Sequence, residues 1–263
     1  MESSGTPGKI NISGITYSMV KDYFLCEYRG KLPVKYKGNI DMYYVNGLRP
    51  ELSVDLKTIP NKRFYMQLQL LRLGDLEEQV FEEIINKLPD TMHFHRPEYA
   101  RRVYNQSYLL CRSEEVDQEG RLLARTAALM LFTGLSQDYY NFENRSAVIC
   151  RDILPGFSYS ERQIDQICNL ILSTKRPFQP NNPLEKILID ARMDYIGRPD
   201  YTEQLNLLFK ELKAAGLKIN GQQFKKQQQE LLYEFRFYTT AAQRLREVSA
   251  EDQMTTLEQE RWI

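Results

Sequence analysis

From Leu71 onward, apolar residues recur at intervals of three and four, a spacing that can be buried only as a stripe along a helix. The first stripe is Leu73, Leu76, Val80, Phe81, Ile84, Ile85 and Leu88, and Pro89 ends it, which predicts an amphipathic helix of about four to five turns. Pro97 suits a first helical position, Ser158 with Glu161 reads as a capping box, and Ile164, Ile167, Cys168, Ile171 and Leu172 form another apolar face. Further helices are expected over Glu119–Phe132, Asn144–Ile153, Leu184–Met193, Tyr201–Ala215, Gln222–Phe237 and from Thr240 to the C-terminus, with Gly216 as a C-cap.

Residues 9 to 46 follow the shorter period of strands. Lys9–Ser13 reads as a strand, Thr16–Tyr23 as a short helix, and Leu25–Arg29, Leu32–Tyr36 and Ile40–Val45 as a meander with turns at Gly30 and at Gly38-Asn39. Pro50, Pro60 and Asn61 punctuate the next stretch, which reads as a linker or surface loop. The expected fold class is therefore mainly α. A small β-rich, α+β segment occupies residues 1 to 50, a linker or loop residues 51 to 70, and a helical domain residues 71 to 263. A few strands alone are marginal in water, so they must pack on other elements or pair with another chain, which makes a homodimer or a protein partner an expectation.

Composition narrows the partners. The 35 basic and 35 acidic residues cancel, which gives no footprint for nucleic acid or an anionic membrane. The longest apolar runs, such as Ala127–Phe132, fall far short of the roughly 20 residues that span a bilayer. The first residues lack the basic and then apolar regions of a secretory signal, so a cytoplasmic location is expected. Cys26, Cys111, Cys150 and Cys168 are widely spaced and read as reduced, mostly buried thiols rather than a disulfide or zinc framework. Tyr233–Tyr238 is aromatic-rich without a basic patch, which favours packing over nucleic-acid stacking. On the terminal helix, Leu257, Trp262 and Ile263 either offer a partner-binding face or belong to a fraying end.

From His95 to about Arg246 the landmarks are His95-Arg-Pro-Glu-Tyr99, Thr126-Ala-Ala-Leu129, Leu154-Pro-Gly-Phe-Ser-Tyr-Ser160, Gln163-Ile-Asp-Gln-Ile167, Thr174-Lys175, Asp190-Ala191 and Asp194-Tyr-Ile-Gly-Arg198. In this order and spacing they resemble the HD superfamily of metal-dependent phosphohydrolases, in the branch found downstream of bacterial class III nucleotide cyclase domains. The resemblance implies a helical domain whose histidines and aspartates would hold one or two divalent ions to activate water and neutralise a phosphoryl group. Here the positions it assigns to those ligands carry other chemistry. The histidine of its Pro-Glu-His motif falls on Tyr99, its His-Asp pair on Leu131 and Phe132, the histidine of its His-Glu motif on Phe142, and the second acid of its Asp-Ala-Asp triplet on Arg192. Glu143, Asp190 and Asp194 survive as acids. No metal, cofactor or catalytic residue is expected on this pattern, because hydrocarbon and guanidinium groups bind no cation. His93 and His95 read as ordinary side chains of a loop before a helix.

At the other end, Met1–Ser13, Glu27-Tyr-Arg-Gly-Lys31 and Lys35-Tyr-Lys-Gly-Asn-Ile-Asp-Met-Tyr43 resemble the C-terminal end of a class III adenylate or guanylate cyclase domain over roughly residues 1 to 50. That family's metal-binding and base-selecting residues lie upstream of this stretch. The combined reading is a pseudoenzyme with a regulatory, dimerising or partner-binding role linked to bacterial cyclic-nucleotide signalling. Two alternatives stand beside it. The chain is the C-terminal part of a cyclase, or its former site binds a nucleotide or phosphate without metal. Lys175 and Arg192 motivate the latter, as cations for an anionic group. Against it stands the expectation that Arg192 pairs with Asp190, Asp194 or another acid.

Overall fold

The structure, a computed structural model, describes residues 6–34, 38–246 and 250–259. It is mainly helical, with one small antiparallel sheet near the N-terminus, and it divides into two compact units, Met1–Leu71 and Arg72–Ile263.

In the first unit, strand β1 (Ile10–Ser13), helix α1 (Gly14–Val20), strand β2 (Phe24–Val34) and strand β3 (Gly38–Leu48) follow in order. The strands pair antiparallel as β1-β3-β2, so the longest pairing joins sequence neighbours and β3 is central. Tyr17 on α1 stacks on Tyr43 of β3 with centroids 3.9 Å apart. Residues 24 to 34 form one strand rather than two. Gly30, expected at a turn, instead takes a φ of +110° at a bulge where Tyr28 and Gly30 face Tyr43 and Met42, and the strand continues past it. Residues 35 and 36 of the expected second strand lie outside the described residues.

In the stretch from 51 to 70, expected as a linker or loop, residues 53 to 60 form a loop and a helix begins at Lys62. Pro50–Leu52 forms a 3-10 turn that buries Leu52, and the Asp55 carboxylate accepts from Lys57 N (3.0 Å), Thr58 N (2.7 Å), Ile59 N (2.8 Å) and Ser53 Oγ (2.7 Å). The hydrogen bonds from Ile59 and Thr58 hold this carboxyl well below the usual aspartate range. Asn61 then accepts from Phe64 N at 3.1 Å and opens helix α2 (Lys62–Glu83), nine residues before the periodic stripe begins. The cap, which the stripe does not reveal, sets the start.

The second unit continues with α3 (Pro97–Ser113), α4 (Gln118–Met130), α5 (Phe142–Ile153), α6 (Glu161–Ser173), α7 (Pro183–Arg192), α8 (Tyr201–Ala214), α9 (Gly221–Glu234), α10 (Thr240–Leu245) and α11 (Ala250–Gln259). Helix α3 packs on α4 and α7, α4 on α6, and α5 on α6. Their buried stripes include Leu110, Leu122, Ala124, Ala127, Ile167, Ile171, Leu188 and Ile189. Cys111, Cys150 and Cys168 are buried and all four cysteines are free thiols.

Three expectations are corrected here. The capping box is Ser160 with Gln163, whose side chains and backbone N–H groups bond reciprocally, whereas Ser158 sits at φ +65° closing the preceding 3-10 turn. Ser158 cannot cap because an N-cap needs extended backbone. Helix α9 stops at Glu234 rather than Phe237, since Phe235 turns to extended backbone and Arg236 bonds the carbonyls of Leu232, Tyr233 and Phe235. Leu257 is fully buried, with α11 lying on α8 and α9, and so is part of the core instead of a partner face. Trp262 and Ile263 lie outside the described residues. Gly216 does terminate α8: at φ +84° it donates to Lys213 O while Leu217 donates to Leu212 O, the double bond of a Schellman motif. Replacing Ser160 with Ala should lower stability by about 1 kcal/mol, measurable by urea unfolding with an unchanged slope.

Candidate functional site

The turn after α4 is the structural origin of the site. Leu131 and Phe132 leave the helix, and Gly134 lies so close to α5 that a Cβ would stand 2.0 Å from Phe142 O. Only glycine permits that approach. Ser146 Oγ locks the contact by accepting from Gly134 N and donating to Leu131 O, both at 2.8 Å. Phe132 and Phe142 are thereby held side by side, with centroids 5.9 Å apart and planes tilted by 33°.

Tyr99 from the first turn of α3 closes a second side, 5.4 Å from the Phe132 ring and 4.3 Å from Phe94. Its hydroxyl donates to Arg192 O at 2.5 Å, which ties α3 to the end of α7. Burial, the largest influence, pushes the Tyr99 hydroxyl well above its ordinary value, so it remains a neutral donor. The Arg192 side chain crosses over Phe142, 5.1 Å from its centroid, and Nη1 donates to Glu143 Oε1 (2.9 Å), Thr174 O (2.6 Å) and Thr174 Oγ1 (3.0 Å). Tyr99, Phe132, Phe142, Glu143 and Arg192 thus converge, and Leu131 is buried at the turn that carries Phe132.

The remaining acids point elsewhere. Asp190 accepts from Tyr238 N (3.0 Å), Thr239 N (2.8 Å) and Thr239 Oγ1 (2.8 Å), while burial pushes its carboxyl up to about 6 against those bonds. Asp194 pairs with Arg246 (2.8 Å) and Arg198 (3.7 Å). Arg192 therefore pairs with Glu143, and with neither aspartate, because α7 turns Asp190 toward the segment before α10 and Asp194 lies one turn beyond. Lys175 is exposed, with Nζ 3.4 Å from Asn141 Oδ1, apart from the Arg192 pair.

His95 is not an ordinary loop side chain. It is buried against Phe94, Tyr99, Phe132 and Phe142, and its Nδ1 lies 2.5 Å from Glu211 Oε1. Glu211 also accepts from Phe94 N (2.7 Å), His95 N (2.9 Å) and Tyr139 Oη (2.9 Å). Burial alone would raise the Glu211 carboxyl, but the bonds and charge of His95 and the two backbone N–H groups outweigh it and hold the group below its ordinary value. The sequence did contain a signal for Glu211: it continues the α8 stripe Tyr201, Gln204 and Leu208 at helical spacing, an acid on an inward face.

These residues do not fit a metal. The inward groups are rings, a leucine, a guanidinium already bonded to the site's own glutamate, and a His–Glu pair satisfied internally. Among the described residues no three His, Cys, Asp or Glu side chains converge as a ligand set.

No family model and no curated protein sequence matches the chain. Among solved structures it is similar to Bacillus subtilis YpgQ, crystallised in complex with ADP, at 16% sequence identity and a TM-score of 0.49, over 70% of this chain and 94% of that one. Among the described residues no helix is long and apolar enough to cross a membrane.

Proposed function

We propose that the helical unit is an HD-like pseudoenzyme domain, a former metal-dependent phosphohydrolase framework that now serves a regulatory, dimerising or partner-binding role in bacterial cyclic-nucleotide signalling. The observation that carries this reading is the convergence of Tyr99, Phe132, Phe142 and Arg192, positions far apart in sequence that the family resemblance assigns to metal ligands, on one closed aromatic and ion-paired plug. Water activation by a divalent ion needs oxygen or imidazole donors with an open position, and the plug offers neither. The substitutions are mutually consistent. An orphaned cluster of histidines and aspartates would bury unpaired polar groups at a few kcal/mol each, whereas the rings pack and Arg192 neutralises Glu143. The link to cyclic-nucleotide signalling rests on the cyclase-like residues of the N-terminal stretch.

A screen of phosphomonoesters, phosphodiesters and nucleotides with added Mg²⁺, Mn²⁺, Fe²⁺ or Zn²⁺ tests the proposal. The expected result is no hydrolysis above the rate of buffer with the same ions. Turnover that disappears in a Glu143→Gln variant would assign catalysis to this centre and overturn the reading.

A further inference from the structure

One cavity, lined by none of the plug's residues, lies between the segment after α6 and the C-terminal end of α9. Its volume of about 520 Å³ is within the range of small-molecule sites. Leu231 and Phe235 are buried and form its floor, while the half-buried Phe178 and Tyr238 form walls, each edge-on to Phe235 with centroids 5.9 Å and 6.2 Å away. Arg176 and Glu234 stand exposed at its mouth. Among the described residues no ion pair joins their side chains, so the two opposite charges share one opening without satisfying each other.

The walls are held before any ligand arrives. Asp190, itself buried, accepts the Tyr238 and Thr239 backbone N–H groups, and Arg236 Nη1 bonds the carbonyls of Leu232 (3.0 Å), Tyr233 (3.1 Å) and Phe235 (2.7 Å) where α9 ends. Fixed walls reduce the ordering cost of binding. An aromatic-sided bowl favours a flat ring. A guanidinium and a carboxylate at its mouth favour a molecule with an anion at one end and a cationic or N–H donor group at the other.

We infer that this cavity binds a small amphoteric aromatic molecule, with its ring against Phe178, Phe235 and Tyr238, its anionic group on Arg176 and its amino group on Glu234. This goes beyond the pseudoenzyme reading and does not depend on it, since the cavity shares no lining residue with the plug.

The test uses the full chain and three ring probes. Para-aminomethylbenzoate carries a carboxylate and an ammonium across one ring, benzoate has only the first and benzylamine only the second. Calorimetric titration should give the zwitterion a millimolar or tighter dissociation constant, at least about tenfold below that of either singly charged probe. Arg176→Gln should bring the zwitterion to the affinity of benzylamine, and Glu234→Gln to that of benzoate, while both exposed substitutions leave the melting temperature unchanged. Phe178→Ala should weaken all three probes. Absence of binding, equal binding of the three probes, or a zwitterion affinity indifferent to Arg176→Gln and Glu234→Gln would overturn the assignment.

Discussion

Replacing Glu211 with Ala should lower the melting temperature by about 6–20 °C. The carboxylate is almost fully buried and accepts four hydrogen bonds, from Phe94 N, His95 N, His95 Nδ1 and Tyr139 Oη. Removing it strands a buried imidazole and two backbone N–H groups. Breaking a buried pair costs about 3–5 kcal/mol, and each kcal/mol moves the melting point of a unit this size by roughly 2–4 °C. Glu211→Gln keeps an acceptor and should cost less. The pH dependence has a definite sign. The Glu211 carboxyl is held below the ordinary glutamate value of 4.5 in the folded chain, so its contribution is fully present above that value and is lost as pH falls through the folded value. The wild-type advantage over Glu211→Ala should therefore be flat near neutrality and shrink in acid. Thermal melts of both proteins across pH check it, and a variant within about 2 °C of wild type at neutral pH would show that the pair contributes nothing.

The second large effect belongs to Arg192. Its guanidinium supplies three hydrogen bonds and neutralises a buried glutamate, so Arg192→Leu should destabilise by about 3–5 kcal/mol. The additional substitution Glu143→Gln removes the stranded charge and should return a substantial part of that loss, on the order of 1–3 kcal/mol of coupling. Denaturant unfolding of the two single variants and the double variant gives this coupling directly. Strict additivity would mean that Arg192 and Glu143 do not act as a pair. Phosphate should not protect the wild type, because Arg192 Nη1 is already held by Glu143 and Thr174 and that glutamate neutralises the guanidinium charge.

Much of the architecture was legible because burial imposes a period. The apolar stripes gave nearly every helix of the second unit, and Pro97 and Gly216 marked real ends. The misses have local causes. The start of α2 depends on the Asn61 cap after a loop drawn around Asp55, and the true capping box lies two residues beyond Ser158 because that serine adopts a left-handed conformation. Gly30 permits both a turn and a bulge, and only the register against β3 decides between them. In the site, the inward positions of Tyr99, Phe132, Phe142 and Arg192 were named from sequence. The partner of Arg192 and the burial of His95 depend on how α5, α7 and α8 approach one another, which composition does not encode. Glu211 is the instructive case, since its place on an apolar stripe hinted at a buried partner that only the fold identifies as His95.

The centre formed by Tyr99, Phe132, Phe142, Glu143 and Arg192 is expected to be closed by its own side chains and to hold no divalent ion. Elemental analysis of the purified chain, paired with melts in Mg²⁺, Mn²⁺, Fe²⁺ and Zn²⁺, tests it most directly. The predicted result is no stoichiometric metal and an unchanged melting temperature in every ion. One equivalent of metal per chain, together with stabilisation approaching the roughly 2.7 kcal/mol expected at a hundredfold excess over the dissociation constant, would contradict it.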